Sequence, residues 1–181
     1  MAVGLKGEPK MEERKGVITF AGNPLTLLGP ELKTGAQAPD FNLQANDLSP
    51  KKLSDYSGQV LIISVVPSLD TGVCYAQTKR FNQEASALGD HVKILTVSCD
   101  LPFAQARWCG AAGVSNLETL SDHMNLNFGL AYGVAIKELR LLSRAVFVID
   151  KDHKVVYTEL VPEVTNEVNF QAALEAAKKV A

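Results

Sequence analysis

Cysteine is scarce in this chain: three occur in 181 residues, at positions 74, 99 and 109, and no two form a Cys-x-x-Cys pair. That argues against disulfide shuttling by an adjacent dithiol, and the spacing lacks the paired ligands of a structural zinc site. His91, His123 and His153 are equally scattered, so no metal site is expected. Charge of one sign is also missing. Eighteen Lys and Arg against twenty Asp and Glu leave a formal net charge of −2, which offers no electrostatic footprint for nucleic acid or an anionic membrane. No apolar run approaches the roughly 20 residues that span a bilayer. Residues 1–15 lack the apolar core of a signal peptide, and no glycine-rich loop is built to cradle a phosphate. Three cysteines without a secretion signal suit a reducing cytoplasm, where cysteines serve chemistry more often than structural disulfides.

What is present is an ordinary globular composition, 46% hydrophobic and 21% charged, enough to bury a substantial core. The reading is a loose N-terminal arm over residues 1–15 followed by a single domain over residues 16–181. Apolar segments at 16–21 and 24–28 bracket Gly22 and Asn23 and predict a β-hairpin, an appendage to the main fold. The run at 60–66 is short, continuous and β-branched, the mark of a buried strand. A helix is predicted over 73–88, a strand over 92–98, a helix over 103–112 ending near Gly113, and a short helix over 125–132. Strands at 144–150 and 154–160 flank the turn residues 151–153, and an amphipathic helix closes the chain at 169–180. A βαβ start and a ββα ending give an α/β, thioredoxin-like layout, with a mixed central sheet flanked by helices and the hairpin as an N-terminal extension.

The stretch that organises this pattern joins the first core strand to its helix. Pro67 ends the strand, Asp70 or Thr71 is placed to cap the helix, and Cys74 falls in or next to the first helical turn. Free N–H groups and the positive end of the helix dipole favour a thiolate there, and the thiolate is the reactive form. Cys74, Phe81, Ala85 and Leu88 share one face of the helical wheel, so the thiol is expected on the buried stripe. Thr71 stands where a dithiol centre would carry its other cysteine, and its hydroxyl can hydrogen-bond the sulfur or an incoming oxygen. Cys99 ends a strand and reads as an inert buried thiol.

The segment Pro67-Ser68-Leu69-Asp70-Thr71-Gly72-Val73-Cys74 resembles the Pro-x-x-x-Thr-x-x-Cys signature of the peroxiredoxins, and its Asp-Thr-Gly-Val-Cys form is similar to their thiol peroxidase branch. Two further blocks support the resemblance. Residues 100–111, with Trp108 and Cys109, resemble the segment carrying that branch's resolving cysteine, and residues 144–150 resemble the strand that begins with the family's active-site arginine.

The resemblance implies an atypical two-cysteine peroxiredoxin, an antioxidant oxidoreductase that reduces hydrogen peroxide and alkyl hydroperoxides. Cys74 would be the peroxidatic nucleophile, passing through a sulfenic acid that Cys109 resolves as an intrachain redox-active disulfide. Arg144 would favour the thiolate and polarise the peroxide. Thr71 and the backbone N–H groups of Val73 and Cys74 would hold the oxygens in line. Pro67 would rigidify the loop and shield the sulfenic acid. Thioredoxin as reductant, a homodimer packed beside the active site, a cytoplasmic location and no cofactor are further implications. Because the two thiols start on separate helices, both helix segments are expected to unwind locally during turnover.

Other readings explain less. A single Asp70-Thr71-Gly72 lacks the second aspartate that an acid protease needs. A redox sensor or chaperone using the same cysteines is the alternative, separated from an enzyme by turnover.

Overall fold

The structure, a computed structural model, describes residues 11–181. In chain order its elements are β1 (Glu13–Phe20), β2 (Asn23–Leu28), β3 (Asn42–Gln44), β4 (Pro50–Lys52), β5 (Val60–Val65), α1 (Gly72–Ala85), β6 (Val92–Ser98), α2 (Pro102–Ala112), β7 (Glu118–Ser121), α3 (Asn127–Ala131), β8 (Ala135–Ile136), β9 (Leu141–Leu142), β10 (Ala145–Ile149), β11 (Val155–Leu160) and α4 (Phe170–Lys178). Of the arm expected over residues 1–15, residues 1–10 lie outside the described residues, and Glu13 already begins β1.

Seven strands form a mixed sheet in the order β11-β10-β5-β6-β7-β3-β4. β5, β6 and β7 run parallel, while β10 returns antiparallel to β5. This is the βαβ and ββα arrangement expected of a thioredoxin-like fold. β5 sits inside the sheet and is buried on both faces, which is why it reads as an unbroken apolar run rather than an alternation. Leu61, Ile63 and Val65 face one cluster with Phe41, Phe128, Tyr132 and Phe147. Val60 and Ile62 face the other, with Phe81 of α1 and Phe170 and Leu174 of α4. By the same alternation Ser64 points toward α1.

Helix ends follow local chemistry. α2 opens on Pro102, whose missing N–H costs nothing at that position, and ends where Gly113 takes the left-handed conformation at φ 64°. The Asn169 side chain accepts from the Ala172 N–H at 3.1 Å and caps α4. α1 stops at Ala85, short of the expected Leu88.

Two features differ from the expectation. β7 lies in the middle of the main sheet, yet Glu118-Thr119-Leu120-Ser121 holds one apolar residue and shows no run or alternation. Its pairing with β6, Val97 opposite Leu120, makes it a strand. The hairpin, in turn, is more than an appendage. β8 and β9 extend it into a four-stranded sheet, β1-β2-β8-β9, with Ile18, Leu27 and Ile136 buried together. Its tip is Ala21-Gly22, both at positive φ (49° and 80°), the turn that matches the twist of the flanking strands.

Candidate active site

β5 carries the chain to the site, and one further backbone bond, Val66 N–H to the Val97 carbonyl at 3.0 Å, prolongs its alignment with β6. Pro67 comes next, buried. Asp100, just beyond β6, then fastens the loop. It accepts from the Ser68 hydroxyl at 2.7 Å and the Leu69 N–H at 2.8 Å, and the Ser98 hydroxyl donates to it at 2.7 Å. Cys74 is the third residue of α1 and fully buried, packed with Val66, Leu69 and Trp108. Thr71 occupies the N-cap position, but no side chain caps α1. Its hydroxyl donates to the Ser68 carbonyl at 3.3 Å, tightening the loop instead of touching the sulfur.

Arg144 arrives from the opposite direction. β10 pairs with β5 through Ala145 and Val65, so the residue before β10 lies at the carboxyl end of β5, beside the start of α1. Its side chain is 2% exposed. Nη2 donates to the Cys74 sulfur at 3.2 Å, Nη1 to Gln77 Oε1 at 2.6 Å, and Nε to the Val164 carbonyl at 2.7 Å. No ion pair among the described residues includes Arg144. A buried cation is costly unless its charge is met, and the acceptors around it are two uncharged oxygens and the Cys74 sulfur.

The sequence did not point to Gln77, Ser64, Asp100 or Val164. Gln77 lies one turn after Cys74, accepts from Arg144, and donates from Nε2 to the buried Ser64 hydroxyl at 2.7 Å. The buried face of α1 therefore holds Cys74, Gln77, Thr78, Phe81 and Asn82, whereas the expected Leu88 falls past the helix end and Ala85 is only partly buried. Polar side chains three and four positions after a cysteine, on the stripe that continues to Phe81, were the available signal.

Cys109 sits in different surroundings. It is half-buried on α2, its sulfur 3.5 Å from the Thr119 hydroxyl, and it lines a cavity of about 330 Å³ with Asn46, Lys51 and Glu118. The residue before it faces the other way. Trp108 packs by Cys74 and meets the Tyr75 ring edge-on at 5.4 Å. α1 and α2 are tied by Lys79 Nζ to the Ala112 carbonyl at 2.6 Å, and all three cysteines are free thiols. Burial, then the charges of Asp122 and Asp100, push the Cys99 thiol up to about 12, which keeps it protonated and inert near neutrality.

Among the described residues no group of His, Cys, Asp and Glu is arranged to hold a metal ion, and no helix is long and apolar enough to cross a membrane.

The sequence matches the Redoxin family model over residues 33–174. It is 61% identical over 161 residues to the thiol peroxidase of Bacillus subtilis, covering 89% of this chain and 96% of that one. Against the thiol peroxidase of Halalkalibacterium halodurans the identity is 62%, with the same coverage of both chains. Among solved structures, a peroxiredoxin-like protein from Aquifex aeolicus superposes with a TM-score of 0.86 at 40% identity, covering 94% of this chain and 99% of its own. The thiol peroxidase of Chromobacterium violaceum superposes at 0.80 with 22% identity, covering 90% and 95%, a likeness of fold.

Proposed function

Because the chain belongs to the Redoxin family, and within it to the thiol peroxidases, we propose that Cys74 is the thiol that meets the peroxide. The protein is a thiol-dependent peroxidase, an oxidoreductase that reduces peroxides at the expense of a thiol reductant. In the first step the Cys74 thiolate attacks the outer oxygen of the peroxide. A sulfur–oxygen bond forms, the oxygen–oxygen bond breaks, and the departing oxygen takes a proton to leave as water or an alcohol. Cys74 becomes a sulfenic acid.

The observation that carries this reading is the 3.2 Å contact from the buried Arg144 guanidinium to the Cys74 sulfur, with no carboxylate among the described residues paired to that cation. A cation already in place stabilises charge passing from sulfur to the departing oxygen without reorganising at the moment of reaction. The first-turn amides of α1 add donors on the same side. Thr71 orders the loop through Ser68 and has lone pairs left for the incoming peroxide. Pro67 keeps the loop fixed and shelters the sulfenic acid.

Cys109 is the resolving thiol. It condenses with the sulfenic acid, giving a Cys74–Cys109 disulfide and water, and two electrons from a dithiol then restore both thiols. Thioredoxin is the proposed dithiol. A homodimer packed beside the active site is also proposed, and the exposed Tyr75, Leu101 and Phe103 near it support an apolar contact there. The cytoplasm is the proposed compartment, since a disulfide that must be reduced in each cycle suits a reducing one. A single domain over residues 16–181 is proposed, with β1 carrying it back to Glu13.

The test is turnover with a thiol reductant. Cys74→Ser should abolish peroxide consumption. Cys109→Ser should consume about one peroxide per chain and then stall with thioredoxin. Undiminished cycling by Cys109→Ser would remove its role.

A further inference from the structure

Arg144 has three acceptors, and one of them lies outside α1. The Val164 carbonyl, in the connection between β11 and α4, accepts from Nε at 2.7 Å. The hairpin sheet holds Val164. Its N–H donates to the Thr19 carbonyl of β1 at 2.9 Å, and its side chain, 1% exposed, packs with Ile18, Leu27 and Ile136.

Glu163 fixes the same connection from the preceding position. Oε2 accepts from the Thr19 hydroxyl at 2.6 Å and the Gly22 N–H at 3.0 Å. Oε1 accepts from the Ala21 N–H at 2.9 Å, and from the Thr165 hydroxyl and N–H at 2.8 and 3.2 Å. One carboxylate thus gathers the hairpin tip and the β11–α4 connection. The Thr19 hydroxyl first, then the Gly22 amide and the Thr165 hydroxyl, hold its carboxyl down at about 2, so it accepts these bonds as a charged group throughout the neutral range.

We propose that Glu163 is a positioning residue for peroxide reduction: by clamping the tip of the β1–β2 hairpin to the β11–α4 connection, it sets the Val164 carbonyl and, through it, the plane of the Arg144 guanidinium over Cys74. The proposal rests on the reading of Cys74 and Arg144 as the reacting pair. A guanidinium is a rigid planar fork. With Nε held by Val164 and Nη1 by Gln77, its plane is fixed and Nη2 points at the sulfur. Released at Nε, the group turns about its remaining anchor, and a small misplacement of a charged donor is felt directly in rate.

The experiment compares full-length Glu163→Ala, Glu163→Gln, Thr19→Val and Arg144→Lys with the unaltered protein. Three quantities are read for each: the single-turnover rate of peroxide consumption, the rate at which the reductant restores the oxidised protein, and the thermal midpoint. In Glu163→Ala the peroxide rate should fall by about tenfold, a modest share of what distant misplacement can cost, with the reductant rate unchanged. Thr19→Val should lose less, and Glu163→Gln should recover part because it keeps one accepting oxygen. A merely structural role lowers the midpoint and leaves the peroxide rate of the folded protein alone, and that result overturns the proposal. If Glu163→Ala does not fold, Thr19→Val decides, and an unchanged peroxide rate there overturns it equally. If Arg144→Lys reacts at the unaltered rate, charge alone suffices and the orientation of the guanidinium is not felt in the rate, which overturns the proposal. The reading of Cys74 as the reacting thiol fails separately, if Cys74→Ser still consumes peroxide. Slowing in Arg144→Lys with none in the Glu163 or Thr19 variants overturns the proposal alone.

Discussion

Nη2 of Arg144 lies 3.2 Å from the Cys74 sulfur, and the rest of its guanidinium is anchored by groups that leave its charge unmet, an amide oxygen and a backbone carbonyl. This separates charge from geometry. Arg144→Lys keeps the charge but loses the fork that reaches Gln77, Val164 and the sulfur together. The peroxide step should slow by roughly 10²-fold, the loss expected on removal of one preorganised donor. Steady-state kinetics at saturating reductant measure it through kcat/KM for peroxide. A lysine variant within twofold of the unaltered protein would show that charge alone suffices.

Gln77 carries a load of a different kind. Its amide satisfies Arg144 Nη1 and the Ser64 hydroxyl, both buried. Gln77→Leu preserves helix propensity and apolar volume but leaves two buried polar groups without this partner, at a cost of about 1–3 kcal/mol each. Denaturant unfolding should show that loss, and the peroxide rate should fall with it because Nη1 is released. Full stability in Gln77→Leu would mean that water or a shifted Ser64 replaces the amide.

These contacts mark the limit of what the sequence makes legible. Cys74 could be found because its signal is local: a β-branched run, a proline, and a helix start fix where the thiol must lie. Arg144 is legible only through the resemblance in its strand, since a lone arginine before an apolar run reads more readily as a surface charge. Gln77 and Asp100 had no such marker. Each earns its place by touching a residue more than thirty or sixty positions away, Asp100 at Ser68 and Gln77 at Arg144, and spacing along the chain carries no record of that. β7 was missed for a similar reason, because its neighbours β6 and β3 supply the order that its own four residues lack. The hairpin was visible through its turn, but its extension by β8 and β9, two residues each, was not.

The surroundings of the two proposed redox partners predict motion. Cys74 packs with Val66, Leu69 and Trp108, while Cys109 faces Thr119 and the cavity by Asn46 and Lys51. A disulfide requires Cα atoms within roughly 7 Å, and Trp108, next to Cys109 in the chain, packs on the Cys74 side, edge-on to Tyr75. Oxidation should therefore loosen the first turn of α1 and the end of α2, raising amide exchange in both segments and changing Trp108 fluorescence. Cys109→Ser, oxidised to the sulfenic acid, should keep the protection of the thiol form. Equal protection in the reduced and disulfide forms of the unaltered protein would refute the rearrangement.

Asp122 makes stability depend on pH with a sign opposite to that of a typical carboxylate. It is 1% exposed and accepts from the Phe128 and Gly129 N–H groups at 3.2 and 2.8 Å. Burial nonetheless outweighs those bonds and pushes its carboxyl up to about 6, from an ordinary value of 3.8. Between these values the folded chain binds more protons at this site than the unfolded chain. Its contribution is therefore fully present below about 4 and is lost as pH rises through about 6. Glu163, held down at about 2, has the reverse sign, contributing above its unfolded value of 4.5 and losing that contribution as pH falls toward 2, so the two windows barely meet. Denaturant midpoints of the unaltered protein and of Asp122→Asn should be compared from pH 7.5 to pH 5. Taking the difference between the two profiles cancels the groups common to both. The unaltered protein should gain stability relative to Asp122→Asn as the pH falls; parallel profiles would mean that Asp122 titrates in the folded chain as it does in water.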